Sequence, residues 1–600
     1  MFYQSRIGTS RRWRARRELL QICLGSSLLM GFGCLPLSSA QTLPPAASDP
    51  ANYLRQQERE RLLRQQQERR PDINLPAPAT LADTQGRHGL QRLPGNEPQC
   101  VQVQRIMLVG DAAEHFQWAL AAANQTASGE PDPATPRCLG TQGINLVMQR
   151  LQDAIARRGY VTTRVLAPSQ PALAQGTLTL TLLPGRIRQI RFAPGTDARA
   201  TRWNAMPVGP GDLLNLHDIE QALENFRRIP SAEADITFAN VEDADSQPGQ
   251  TDLLIRWRQG LPLRLTLSVD DGGSRSTGKL QGSATLSHDH WWTLNDLFHA
   301  SFSHDLGGGD PGTRGTQGVV LHYSVPMGPW LLGLTASSNR YHQSVAGLNQ
   351  TYLYAGTNDN RAVTLSRVVS RSVTHKTTLW VAGWQRTSSN FIDDTEVQVQ
   401  RRRMAGWDAG VAHRQAIGTG AIELDLNYRR GTGAGGALPA PEEAFGEGSS
   451  RARITTVQAQ LNVPLTIGAQ GLRFSSAWRG QWNGTPLVPQ DRFAIGGRHT
   501  VRGFSGEQQL VAERGWSWRN DLGWLIGPHG QELYLGIDSG HVGGPSSASL
   551  AGNRLSGAVI GLRGRYRQIH FDLFAGTPLA KPDGFRTPAQ VAGFTLTVSL

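Results

Sequence analysis

Residues Gly272–Leu280 read GGSRSTGKL, which puts Gly273, Gly278 and Lys279 at the spacing of a phosphate-cradling P-loop. Leu280 stands where that motif needs a Mg²⁺-binding hydroxyl, and no helical pattern follows, so the segment is expected to be a hairpin connection. His288-Asp289-His290 could offer metal ligands, but no further Cys/His cluster lies nearby and no metal is expected. Neither a G-x-S-x-G elbow nor an H-E-x-x-H helix occurs. No catalytic residue, no cofactor and no enzymatic activity are therefore expected.

A different kind of chemistry is offered by FAIGGRHTVRGFSGE, Phe493–Glu507. It holds too many glycines for a membrane strand and reads as a long loop with a tight tip. That tip carries Arg502 beside Phe504. In a polar lumen an arginine seeks a carboxylate in bidentate geometry; on a surface it is only a loop charge.

The elements around that loop alternate with period 2. Leu263, Leu265, Leu267 and Val269 alternate with Arg264, Thr266, Ser268 and Asp270. Ile422, Leu424, Leu426 and Tyr428 alternate with Glu423, Asp425, Asn427 and Arg429. Such strands suit lipid on one face and water on the other, and backbone groups in lipid must be paired within a closed barrel. A soluble β-sandwich would also alternate, but regular inward charge disfavours it. At roughly 20 residues per strand and connection, the ~340 residues from 260 onward give about sixteen antiparallel strands. Beyond the N-terminus no apolar run reaches the length of a transmembrane helix.

Residues 1–40 read as an export signal: a basic stretch, an apolar stretch Leu19–Leu37 and the small residues Ser38-Ser39-Ala40. Six arginines there face only Glu18, so much of the net charge of +12 belongs to export and no nucleic-acid partner is expected. Cleavage removes Cys23 and Cys34 and leaves Cys100 and Cys138 in an oxidising compartment. A bridge there would close a loop of about 39 residues and add about 4 kcal/mol; two unpaired buried thiols are the alternative.

Asp49 and Pro50 start a helix as N-cap and N1 residues do, and it should end near Arg70. It is polar nearly all round, so it needs water or a polar cavity about it. Residues 71–97 form a flexible linker. Residues 98–185 and 186–259 are two small α+β units with a shared order of strand, helix, helix, strand, strand. The barrel takes 260–600.

This order resembles the TpsB transporters of two-partner secretion, the haemolysin-activator (ShlB/FhaC/HecB) group of the Omp85 superfamily. The resemblance covers essentially the whole mature chain. Its most specific pieces are IGGRHTVRGF (495–504), CLGTQGINLVMQRLQDAIARRGYVTTRVLAP (138–168) and GTLTLTLLPGRI (176–187). It implies a sixteen-strand outer-membrane barrel and two periplasmic POTRA domains that capture a secreted TpsA-type exoprotein of haemolysin, adhesin or toxin type. Periplasmic chaperones, the barrel-assembly machinery and outer-membrane lipid are further implied partners. The family's loop motif maps onto Gly496, Gly497, Val501, Arg502, Gly503 and Phe504, and its G-x-D motif onto Gly536-Ile537-Asp538. Arg502–Asp538 is then a latch holding the loop inside the lumen, and the helix over 49–70 is a plug. Transport would need no ATP. Two other functions compete: a barrel-assembly insertase, for which more POTRA repeats and no plug helix are expected, and a passive porin or adhesin, which needs no paired periplasmic domains. One departure is Leu600 at the end of FTLTVSL, where such barrels usually end in Phe.

Overall fold

The computed structural model describes residues 92–600 except 96, 127, 170–172, 240–246, 348–349 and 528–529. The expected export signal, the helix over 49–70 and nearly all of the linker lie outside the described residues.

In the first α+β unit, strand Thr177–Leu183 pairs in parallel with Arg105–Gly110 and antiparallel with Arg164–Leu166. Its leucines 178, 180 and 182 face inward and its threonines outward. They pack on Val147, Leu151 and Ile155 of helix α1, Thr141–Arg157, as an apolar stripe on a helix requires. Segment Ala113–Asn124 winds as the tighter 3₁₀ helix; it starts at Ala112 in a left-handed conformation with no capping side chain. The Cys100 and Cys138 sulfurs are bonded, with Cα atoms 5.3 Å apart, which staples together the two paired strands Val101–Val103 and Arg137–Leu139 just ahead of α1. Behind it, Asp132 accepts from Leu93 N–H, Arg150 and Arg137. Burial pushes its carboxyl up, but these donors overcome it and hold it at about 2.

The second unit stacks Gln250–Gln259 between Arg186–Phe192, parallel, and Ala232–Ala239, antiparallel. Helix α2, Leu216–Arg227, is capped by Asn215, whose side chain accepts from His217 N–H. Ile219, Ala222 and Phe226 of α2 pack on Leu253, Ile255 and Trp257. Contrary to expectation the two units do not share one order: among the described residues, 193–215 hold turns and no helix. Pro194 and Gly195 at one end and Pro207, Gly209, Pro210 and Gly211 at the other leave a stretch shorter than the roughly 12–15 residues an isolated helix needs.

The remaining strands close into one barrel. They are β1 Leu263–Asp270, β2 Gln281–Asp289, β3 Leu297–Asp305, β4 Arg314–Met327, β5 Trp330–Ala346, β6 Thr351–Arg371, β7 His375–Ile392 and β8 Arg402–Ile417. Then come β9 Gly420–Thr432, β10 Arg453–Ile467, β11 Gln470–Asn483, β12 Arg514–Ile526, β13 Gln531–Gly543, β14 Arg554–Tyr566, β15 Ile569–Ala580 and β16 Val591–Ser599. A two-residue strand, Thr395–Glu396, extends the β7–β8 turn. All neighbours are antiparallel, and β16 closes on β1 over Thr595↔Asp270 to Ser599↔Thr266. Leu600 adds reciprocal backbone bonds to Leu265, so the unusual terminal leucine takes part in closure. Leu424, Leu426, Leu535 and Ile537 are exposed on the outer face, as lipid requires.

Two surfaces of the second unit dock on the barrel rim. Asn204 donates to the carbonyl of Pro326 (3.1 Å) and accepts from Gly328 N–H (2.8 Å), both at the β4–β5 turn. From α2, Asn225 donates to the Gly328 carbonyl and Glu224 pairs with Arg371 and Lys376 at the β6–β7 turn. Burial pushes the Glu224 carboxyl up, yet Lys376 and Arg371 bring it below its ordinary value. The contact therefore holds at neutral pH and is lost only as pH falls below the usual glutamate range.

Removing the disulfide by Cys100→Ser with Cys138→Ser should destabilise the first unit by about 4 kcal/mol. Urea unfolding followed by proteolysis of residues 92–185 checks this; an unchanged midpoint would show that the bridge adds nothing.

Candidate functional site in the barrel lumen

Between β11 and β12 the chain leaves the wall at Gly484 and returns at Glu513. The base of this excursion is a short ladder, Phe493–Ile495 against Leu510–Ala512. At the tip, Thr500 N–H donates to the Gly497 carbonyl, closing a tight turn (3.0 Å). Gly496 and Gly503 have φ of +106° and +91°, a left-handed backbone that a side chain would strain. Val501 and Phe504 join Phe493, Ile495, Leu510, Val542 and Phe585 in a buried apolar cluster, with Phe504 edge-on to Phe585 at 5.7 Å. So the loop is folded inward, and its tip packs against the β13–β15 wall.

Arg502 is 3% exposed. Its Nε and Nη2 donate to the two oxygens of Asp538 at 2.7 Å each, and its backbone N–H donates to the same carboxylate at 2.9 Å. The bidentate fork is the geometry an arginine is shaped for. Nη2 also reaches Asp521 on β12. Asp521 lies directly across from Gly536, and Asp538 across from Arg519, all facing inward. The guanidinium therefore sits over Gly536, between two diagonal carboxylates. A Cβ on Gly536 would lie 2.6 Å from Nη2 of Arg502, and one on Gly557 only 1.9 Å from the Arg502 carbonyl. The wall is cut to the loop.

The charges continue outward from this point. Arg563 bridges Asp521 (3.0 Å) and Glu532 (2.6 Å), and Arg473 reaches Glu532 at 3.2 Å. Tyr534 donates to Asp572 and lies under the guanidinium of Arg563. A second loop arginine, Arg498, donates to Asp271 (3.0 Å), to the Phe594 carbonyl and to Thr595, all at the β1–β16 closure. The loop is thus held at two places by two arginines. Asp521, Arg563, Glu532 and Arg498 were not singled out from sequence. The inward period Ser517, Arg519, Asp521 exposes an acid on the inner face, but only the register puts it beside Asp538.

The near-P-loop at Gly272–Leu280 forms the β1–β2 connection, bridged at Ser274 and Gly278. His290, from the histidine pair, is buried against Trp257 of the second unit and bonds the Arg199 carbonyl.

Residues 249–564 match the model of the family described as haemolysin secretion/activation protein ShlB/FhaC/HecB. The chain belongs to that family. Residues 122–185 match a ShlB-type POTRA domain and 186–239 a POTRA domain. The outer membrane transporter CdiB-2 of Burkholderia pseudomallei is 34% identical over 94% of this chain and 99% of its own length. The outer membrane transporter CdiB of Dickeya dadantii is 28% identical over 77% of this chain and 81% of its own. The solved structure of CdiB from Acinetobacter baumannii superposes with a TM-score of 0.78 at 26% identity, covering 92% of this chain and 98% of that one. This is a two-partner secretion transporter of the TpsB type, with its barrel in the outer membrane and its POTRA domains in the periplasm, and it serves the export of a partner exoprotein.

Replacing Gly536 by alanine should push the guanidinium off both aspartates. Protease cleavage within 497–505 of the membrane-inserted barrel should then rise at least fivefold over wild type, while cleavage at wild-type rate would show that the notch is not needed.

Proposed function

We propose that the lumen loop is a latch, and that this chain passes one large exoprotein of haemolysin, adhesin or toxin type through the barrel without ATP. The observation that carries the reading is the buried Arg502 held between Asp538 and Asp521 through its Nε and Nη2. A loop pinned to the wall by a buried arginine occupies the lumen at rest, as a gate for a large cargo requires. The latch is made of charges in a polar lumen, so water can replace its hydrogen bonds when the loop withdraws. The Arg498 contacts at the β1–β16 closure support a loop that bears on the barrel at both ends of its tip.

Capture of the unfolded cargo falls to the two POTRA sheets, whose edge strands can accept an added strand. Periplasmic chaperones deliver the cargo, and the barrel-assembly machinery inserts the barrel. The chain carries out no covalent chemistry of its own. Direction comes from folding of the cargo outside the cell, which prevents return. The helix over 49–70 closes the pore at rest.

Arg502→Ala should reduce secretion at least tenfold while heat-modifiable barrel still accumulates in the outer membrane; secretion at wild-type level would remove the latch. Deleting residues 49–70 should raise single-channel conductance in planar bilayers, and unchanged conductance would remove the plug.

A further inference from the structure

Trp203, in the second POTRA domain, is 68% exposed, with the exposed Arg202 beside it. Its place beside the barrel rim shows what it faces. Asn204, the next residue, is bonded to the β4–β5 turn through Pro326 and Gly328. In that hairpin Met327 and Trp330 are partners on the lipid-facing side, continuing Val319 and Leu321. Arg367, the partner of Trp330 on β6, lies with its guanidinium 5.1 Å over the Trp330 ring. An arginine on the lipid face of a barrel marks the phosphate layer, because hydrocarbon would not solvate it. The inner-leaflet headgroups thus cross the barrel at Trp330 and Arg367, a few residues from Asn204.

On its other side Asn204 donates to the Leu294 carbonyl and accepts from Asn295 in the β2–β3 turn. That turn carries Trp291 and Trp292, stacked at 6.1 Å and both exposed, with Trp291 edge-on to Phe298 on the outer face. Trp203 is therefore next in the chain to a residue bonded to both tryptophan-bearing turns.

We propose that residues 199–207 form a membrane foot of the second POTRA domain, with Trp203 and Arg202 entering the headgroup layer of the inner-leaflet phospholipids. The amphipathic indole suits the boundary between acyl chain and water, and Arg202 suits a phosphate. The foot continues the aromatic girdle of the barrel, so this domain is held by lipid as well as by the rim, and the cargo-receiving sheet stays fixed beneath the pore.

The test uses the full chain reconstituted in phosphatidylethanolamine/phosphatidylglycerol vesicles, with a spin label attached through Trp203→Cys and, as an aqueous control, through Glu114→Cys. Oxygen should relax the label at 203 more strongly than a water-soluble nickel chelate does, with the order reversed at 114. The same order at both positions, with the nickel chelate dominant, overturns the proposal, as does a label at 203 shielded only when unfolded cargo is added. Should the cysteine variant fail to assemble, Trp203→Phe decides. In brominated phospholipid, wild type should lose a larger fraction of its tryptophan emission than the variant, and equal losses overturn the proposal.

Discussion

A guanidinium buried in the middle of a pore constrains everything around it. Arg502 cannot shed its proton, so its buried charge must be met by carboxylates or the loop cannot stay inside. Asp538 supplies both oxygens and Asp521 a third contact. Those acids are in turn neutralised by Arg519 and Arg563, and Arg563 by Glu532, so the charges alternate across β11–β14. A lysine could not replace the fork, because a point charge does not match two carboxylate oxygens in plane. Such a network adds little net stability when complete, yet costs several kcal/mol when one partner is removed. That asymmetry suits a catch better than a girder.

The barrel wall sets the register of those acids. Asp521 and Asp538 lie on adjacent strands seventeen positions apart in sequence, and the β12–β13 ladder sets them diagonally across Gly536. Strand pairing leaves no freedom to slip, since one residue of shift between the two strands would turn one of the acids to the lipid. The apolar cluster around Val501, Phe504 and Phe585 is a small core inside an otherwise polar lumen. It gives the loop one seated position, while the ionic contacts give that position its orientation.

Much of this was readable in the chain. The period-2 strands, the two sheet-forming units and the glycine-rich loop follow from the chemistry of their residues, and the structure has the closed barrel they call for; that the loop turns into the lumen was implied only by the resemblance. The pairing of Arg502 with Asp538 rested on resemblance, not on periodicity, and the residues meet in the structure. Asp521 escaped because a lone inward acid says nothing about its cross-strand neighbour until the register is known. Arg498 escaped for the same reason, since its partners at Asp271 and Thr595 come from opposite ends of the barrel sequence. The shared order of the two units fails in the second, which has one helix, Leu216–Arg227, among its described residues. Trp203 looked like any surface aromatic until Asn204 tied it to the rim.

The most direct measurement of the central claim is hydrogen exchange at the backbone amides of residues 500–504 in the resting, membrane-inserted barrel. The Arg502 N–H is bonded to Asp538 and the Thr500 N–H to the Gly497 carbonyl, so these two amides should exchange slowly in the wild type. In Asp538→Asn they should speed up at least about tenfold, as the loss of a charged hydrogen bond predicts, while amides in the middle of β9 stay unchanged. Exchange at the unprotected rate in wild type, or no change in the variant, would contradict a loop locked to the wall by its arginine.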